Sequence, residues 1–503
     1  MGWWERGVVY EIYPRSFQDS DGDGVGDLPG VTARLPYLAR LGVDAVWLTP
    51  VYASPMRDFG YDISDHCAID PTFGTLEDFD ALVARAHDLG LKVVLDFVPN
   101  HTSDLHPWFE ESRASRESPK RDWYLWRDGN PPNNWISVFG GRAWTWDEAT
   151  GQSYYHAYLP GQPDLNWRNP GVREAMFEVL RFWIARGVDG FRVDAMRQVL
   201  KDLSLQDNPP TPGYDGPPEV YAALQPQFTT DLDEVQEVVA AIRAEIGEQR
   251  LFMAEVTAPI ERLVRYYGEE LRGAHLPFNF HLIFADWDAV SIAALVERYE
   301  AALPDGAWPN WVLGNHDQPR VASRVGPGQA RAAAMLLLTL RGTPTLYYGD
   351  EIGMEDVPVP PERIVDPDGR DPERSPMRWT GEPGAGFSDA EPWLPLGDLA
   401  INVEAQDADP RSMLALHRAL LELRRSREDL LRGAYATLTA SCVLAYRRGE
   451  KTAVALNLSE EPRTVALTGE ILLSTGLDRA GEPVAGELAL APGEGAILAT
   501  PAR

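Results

Sequence analysis

Short apolar, β-branched runs alternate with amphipathic helical stretches along most of the chain, and this alternation limits the possible folds more than any other feature. The strand-like runs are residues 8–12, 45–48, 92–98, 190–194 and 251–255, followed by 311–313 and 345–348. Helical stretches lie between them. One covers 31–41 and ends at Gly42, another covers 76–89 and ends at Gly90, and a third opens at Asn169-Pro170 and stops at Gly187. A later one covers 329–340. Asn caps a helix well, and Pro in the first turn sacrifices no hydrogen bond. Strands separated by helices form a parallel sheet, because each helix carries the chain back across the sheet face. About eight such units predict an α/β fold, a closed (β/α)8 TIM barrel. A dinucleotide-binding open sheet would place Gly-x-Gly-x-x-Gly after a strand. Here Gly22, Gly24 and Gly26 sit in an acidic loop that repels phosphate.

Two segments interrupt the alternation. Residues 101–167 are polar, rich in Trp, Asn and Pro, and without a strong helix; they predict a small domain inserted after strand three. Residues 356–402 are rich in Pro, Asp and Gly and predict a loop excursion after strand eight. A helix then starts at Asp409-Pro410, with Met413, Leu416, Leu420 and Leu423 on one face. From 431 to 503 short alternating runs (434–439, 442–446, 453–458, 464–467 and 496–499) predict a C-terminal antiparallel β-sandwich domain. The barrel therefore takes residues 1–100 and 168–430.

Charge narrows the partners. Asp and Glu number 76 against 46 Lys and Arg, a formal charge of −30. Such a surface repels nucleic acid and anionic membranes but is indifferent to a neutral small molecule. The longest apolar run, 332–340, is too short to cross a bilayer. The first residues lack the basic head and apolar core of a signal peptide. Cys67 and Cys442 are far apart in sequence and predict free thiols. Together these predict a cytoplasmic protein, a monomer or homodimer.

Barrels place their active sites at the C-terminal ends of their strands. Polar residues gather there: Asp96 and Asn100-His101 after strand three, Arg192-Val-Asp194 on strand four, Glu255 on strand five, and Asn315-His316-Asp317 after strand seven. Carboxylates crowded on one rim raise at least one pKa, which keeps an acid protonated near neutral pH. Arg192 and Asp194 are two residues apart and share a strand face. A guanidinium there is expected to hold Asp194 ionised, as a nucleophile requires.

Four motifs, in order, are Asp96-Phe-Val-Pro-Asn-His101, Gly190-Phe-Arg-Val-Asp194-Ala, Ala254-Glu255-Val and Asn315-His-Asp317. With them the chain resembles glycoside hydrolase family 13, the α-amylase family, and within it the α-glucosidase and oligo-1,6-glucosidase group. The resemblance covers essentially the whole chain. It implies Asp194 as nucleophile, Glu255 as general acid/base and Asp317 as the third carboxylate, which stabilises the distorted transition state. It implies His101, His316 and Arg192 as ligands of the sugar hydroxyls. It further implies a retaining mechanism, with the Asp194 and Glu255 carboxyls about 5–5.5 Å apart.

In Asp58-Phe-Gly-Tyr61, the resemblance implies that Tyr61 stacks on the glucose ring and that Asp58 pairs with Arg370 to close the pocket base. That base implies removal of one terminal glucose. Phe139 and Tyr158 are implied near the leaving-group side. Relatives of this group usually have Phe where Tyr158 stands. Ala195 after the nucleophile inclines the group toward α-1,4 substrates of maltose or sucrose type, where Val accompanies α-1,6 specificity. A methyl-scale change moves such preferences by only ~1–3 kcal/mol.

Asp19-Ser-Asp21-Gly-Asp23-Gly-Val25-Gly-Asp27 sets carboxylates at alternate positions, as the first part of a calcium loop does. Asp19, Asp21, Asp23 and Asp27 with the Val25 carbonyl are the expected ligands of a structural Ca²⁺, with Mg²⁺ as the alternative ion. No organic cofactor is expected. The leading expectation is an exo-acting retaining α-glucosidase acting on short oligosaccharides. A glucosyltransferase or isomerase of sucrose isomerase or trehalose synthase type, or an oligo-1,6-glucosidase, would share the catalytic residues. A non-catalytic heavy-chain relative would carry a membrane span and often lacks a carboxylate; all three carboxylates are present here.

Overall fold

The computed structural model describes residues 2–501. Eight strands run parallel around a barrel: β1 (Val9–Ile12), β2 (Ala45–Leu48), β3 (Lys92–Phe97), β4 (Gly190–Val193), β5 (Leu251–Glu255), β6 (Leu276–Phe278), β7 (Asn310–Val312) and β8 (Thr343–Tyr347). Their hydrogen-bonded order is β6-β5-β4-β3-β2-β1-β8-β7. The barrel is nearly closed. No ladder joins β6 to β7, and the Asn279 N–H donates to Asn310 Oδ1 across that seam at 3.4 Å. β6 has only three residues and one of them is Pro277, which is why the sequence did not reveal it.

The two-residue pleat sorts each strand into an inner and an outer face. Val8, Tyr10, Val46, Leu48, Val93, Leu95, Phe191, Val193, Phe252 and Ala254 pack outward in the main apolar core. Val9, Ala45, Trp47, Val94, Leu251, Met253, Phe278 and Val312 fill the interior as a separate core. Further along the same inward faces come Glu11, Asp96, Arg192 and Glu255. The barrel is apolar at its base and charged at its mouth.

Helix starts follow local chemistry. Asp27 caps Leu28–Leu41 by accepting the Gly30 N–H at 2.6 Å. Thr75 and Asp78 cap Leu76–Asp88 reciprocally, and Asn169 caps Pro170–Ala185. Among the described residues no helix is long and apolar enough to cross a membrane.

Between β3 and Pro170–Ala185 the chain forms an eight-residue helix, Pro107–Ala114, which the polar composition did not suggest. Three short antiparallel strands follow, with Gln152–Tyr155 between Trp126–Arg127 and Trp144–Asp147. A second excursion, 199–234, leaves β4 without strand or long helix and was not anticipated. The C-terminal part has a six-stranded and a two-stranded antiparallel sheet. Val443, Val484 and Leu498 of the larger sheet and Val465, Leu488 and Leu490 of the smaller share one apolar cluster, the interior of a sandwich.

Lys201 ties the inserted segment to the barrel. It is buried, and its Nζ contacts Asp164 Oδ2 and donates to Asn100 Oδ1 at 2.8 Å. Lys201→Met leaves Asp164 as an unpaired buried charge. It is expected to cost about 3–5 kcal/mol, read as a lower Tm by calorimetry; an unchanged Tm would contradict this.

Candidate active site

One buried guanidinium organises the mouth. Arg192 Nη1 bonds Asp96 Oδ1 and Asp194 Oδ1, both at 2.7 Å, and Nη2 pairs with Glu255 Oε2 at 2.9 Å. These carboxylates come from β3, the end of β4 and β5. Parallel register sets Arg192 opposite Asp96 on one side and Met253 on the other, so its side chain emerges between the two acidic strand ends.

One cation faces three carboxylates, of which Asp96 and Asp194 are buried and Glu255 is partly exposed. Burial pushes the Asp96 carboxyl up to about 6, against the pull of Arg192. Burial also raises Asp194 well above the usual carboxylate range. Arg192 opposes the shift, while Glu255 and Asp96 add to it. The Arg192 guanidinium that faces Asp194 is thus shared with Asp96 and Glu255. Coulombic repulsion among these neighbouring carboxylates disfavours ionising all of them at once.

Ala195 follows Asp194 with φ +47° and ψ 34°, left-handed for a residue with a Cβ. That turn aims its N–H at Glu255 Oε2, 2.9 Å away. A β-branched side chain would meet greater strain there.

Asp317 is bound from the other side. Its Oδ1 accepts from Arg370 Nη1 at 3.0 Å and Arg374 Nη2 at 3.1 Å, and its Oδ2 lies 3.2 Å from His316 Nε2. Burial alone would raise its pKa; His316, Arg370 and Arg374 together hold it well below the usual carboxylate range. Arg370 also donates through Nη2 to Asp58 Oδ1 at 2.7 Å and to Asp366 Oδ1 at 2.6 Å. The pocket base is thus a lattice of Arg370 and Arg374 with Asp58, Asp317 and Asp366.

Asp58, Tyr61, His101, Phe139, Tyr158, Asp194, Glu255, Asp317 and Arg370 all line one cavity of about 280 Å³. Arg192 and His316 stand behind that surface and position what lines it. The Tyr61 ring stacks on His316, with centroids 5.5 Å apart and planes 8° from parallel. His101 donates from Nε2 to the Tyr61 carbonyl at 3.2 Å, since its Nδ1 accepts from Asn100 Nδ2. Phe139 and Tyr158 also line the cavity, with ring centroids 5.6 Å apart.

Sequence reasoning missed Arg197, Gln198, Tyr221, Thr257, Gln318 and Asp368 on the cavity wall. Most of these follow β4, β5 or β7, so the strand-end rule could have flagged them. Tyr221 had no signal, because the 199–234 excursion has no periodicity. Asp366 and Arg374 did carry one: with Arg370 they form an acidic–basic ladder at intervals of four in an otherwise irregular loop.

The acidic loop lies apart from this cavity. Oxygens of Asp19, Asp21 and Asp27 all fall within 4.8 Å of one another. Asp23 stands outside that group, its Oδ1 accepting the Val25 N–H at 2.8 Å.

Residues 11–433 match the family model described as alpha-amylase, catalytic domain. Among curated proteins, Maltase 1 of Drosophila virilis is 44% identical, covering 85% of this chain and 73% of its own length. The probable alpha-glucosidase of Rhizobium meliloti (strain 1021) is 40% identical, covering 92% of this chain and 91% of its own. Among solved structures, the alpha-glucosyl transfer enzyme XgtA is 40% identical with a TM-score of 0.94, covering 100% of both chains.

Arg370 helps depress the Asp317 pKa, so this contribution is fully present above the pH at which carboxylates protonate in the unfolded chain and is lost progressively as pH falls from there toward the depressed folded value. The Tm deficit of Arg370→Ala is therefore expected to be largest near neutral pH and to narrow as pH falls toward about 3. A deficit that stays constant over that range would contradict the assignment.

Proposed function

The chain belongs to the α-amylase family of glycoside hydrolases, and from that premise we propose an exo-acting, retaining α-glucosidase that removes the terminal non-reducing glucose from short α-glucosides. The observation that carries this reading is the closed base: Arg370 ties Asp58 to Asp317 across the end of the cavity that Asp194 and Glu255 also line. A polymer cannot thread through such a base, but a chain end can enter it. The cavity lies at the small end of ligand pockets, which run ~300–1,000 Å³. One face of the Tyr61 ring is stacked on His316, and the other suits the apolar face of a sugar.

In the proposed reaction Asp194 attacks the anomeric carbon as the glycosidic C–O bond breaks. Glu255 passes a proton to the leaving oxygen. Glu255 then takes a proton from water, whose oxygen attacks the anomeric carbon and frees Asp194. Asp317, held ionised, binds sugar hydroxyls. A single guanidinium touches both Asp194 and Glu255. So short a span favours retention at ~5–5.5 Å over inversion, which needs ~6.5–9.5 Å to seat a water. The small Ala195 beside the nucleophile supports α-1,4 substrates of maltose or sucrose type. The likeness to an α-glucosyl transfer enzyme favours one second reading, transfer of the glucosyl group to another sugar in place of water.

The loop of Asp19, Asp21 and Asp27 fits a hard divalent cation, Ca²⁺ or Mg²⁺, because three carboxylates otherwise repel within 4.8 Å. Asp19 and Asp27 would be the anchored ligands and Asp21 the exposed one. The ion's role would be structural, pinning the start of Leu28–Leu41. Two free thiols, Cys67 and Cys442, fit a reducing compartment such as the cytoplasm.

Asp194→Ala is expected to lower kcat by several orders of magnitude (on the order of 10⁴-fold or more); near-wild-type turnover would reject the nucleophile. On maltose, isomaltose, sucrose, trehalose and soluble starch, the enzyme is expected to release glucose from the disaccharides far faster than from starch. NMR should show the α-anomer first, whereas β-glucose would refute retention. Chelation should lower Tm if the loop holds a cation, and an unmoved Tm argues that it does not.

A further inference from the structure

Glu11 has no part in the roles assigned so far. It lies on β1, fully buried, within the electrostatic reach of Arg192, Asp317 and Asp96. Its Oε1 sits 2.5 Å from His316 Nδ1 and accepts the His316 backbone N–H at 3.3 Å. Its Oε2 has no hydrogen-bond partner. At the far side of the ring, His316 Nε2 lies 2.8 Å from the Tyr61 hydroxyl and 3.2 Å from Asp317 Oδ2.

The protons along this chain can be counted. Tyr61 has one, which it gives to Asp96 Oδ2 at 3.1 Å, so its oxygen meets Nε2 as an acceptor. Asp317, ionised beside Arg370 and Arg374, is an acceptor as well. A bare Nε2 would set lone pairs against both; Nε2 therefore carries a hydrogen. A neutral imidazole then has a bare Nδ1, and an ionised Glu11 would oppose it lone pair to lone pair at 2.5 Å. An imidazolium in its place would be a further cation in a buried pocket that already faces Arg192, Arg370 and Arg374. Burial and those cations hold His316 down at about 3, while burial holds Glu11 well above the usual carboxylate range. A neutral carboxylic acid also leaves no charge stranded on Oε2.

We propose that Glu11 is a positioning residue: a buried carboxylic acid that donates a hydrogen bond to His316 Nδ1 and so commits Nε2–H to Asp317 and Tyr61. It touches no substrate. It acts through His316, whose fixed tautomer orients the carboxylate and the ring that meet the sugar. The inference rests on the α-glucosidase reading only for the activity that reports it.

Glu11→Leu keeps the bulk and removes the donor. It is expected to lower kcat on p-nitrophenyl α-glucoside by about 10–100-fold while KM moves by less than about threefold, with the protein still folded by circular dichroism. Glu11→Gln offers an amide N–H to Nδ1 and should restore kcat to within about threefold of wild type, with an unchanged pH profile. If Glu11→Gln were as impaired as Glu11→Leu, the negative charge would be what matters and the proposal would fall. It would fall equally if Glu11→Leu turned over like wild type. ¹⁵N chemical shifts of the His316 ring, assigned through His316→Gln, read the tautomer without activity: protonated Nε2 and bare Nδ1 support the proposal, and the reverse overturns it. A wild type inactive on every α-glucoside tried would sink the proposed function and leave this ring measurement to decide.

Discussion

The guanidinium of Arg192 is the interaction on which the rest of the site depends. Burying an isolated cation inside a barrel is prohibitive, and crowding carboxylates together at its mouth is no better. Each makes the other tolerable only because β3, β4 and β5 lie side by side in parallel register. A slip of one residue in any of these strands would turn its charged side chain to the outer core. The barrel's apolar base therefore does more than stabilise the fold: it fixes the register that brings Asp96, Asp194 and Glu255 to a single cation. With one guanidinium facing three carboxylates, ionising all of them together is disfavoured.

The closed base solves the opposite electrostatic problem. There two arginines meet Asp58, Asp317 and Asp366, and Asp317 is held ionised. Within one small cavity the surroundings thus drive two carboxylates apart in acidity, raising the pKa of Asp194 and depressing that of Asp317. The Tyr61–His316 stack lies between the two halves, touching Asp96 on one side and Asp317 on the other.

Much of this was legible in the sequence. Periodicity revealed seven of the eight strands, and strand ends pointed to Asp194, Glu255 and Asp317, since the chemistry of a parallel barrel lies where its strands finish. The resemblance brought in Asp58, Tyr61 and Arg370. What escaped had physical reasons. β6 is too short and proline-bearing to show a period, the 199–234 excursion has none, and the helix Pro107–Ala114 is hidden in polar composition. Arg192 looked like a partner of Asp194 alone, because sequence displays the neighbour two residues away and conceals Asp96 and Glu255 across the sheet. Glu11 looked like one acidic residue in an apolar strand; only the fold brings it to His316.

The central claim is that Asp194 forms a covalent bond to one glucose unit held between Glu255 and Asp317. The most direct measurement is mass spectrometry of the protein treated with a slowly turning over 5-fluoro-α-glucosyl fluoride, followed by peptide mapping. The account predicts a single added fluoroglucosyl group on the peptide carrying Asp194, and its absence in the presence of excess glucose. A label on any other side chain, or a protein that turns the reagent over with inverted product and never carries it, would contradict the account.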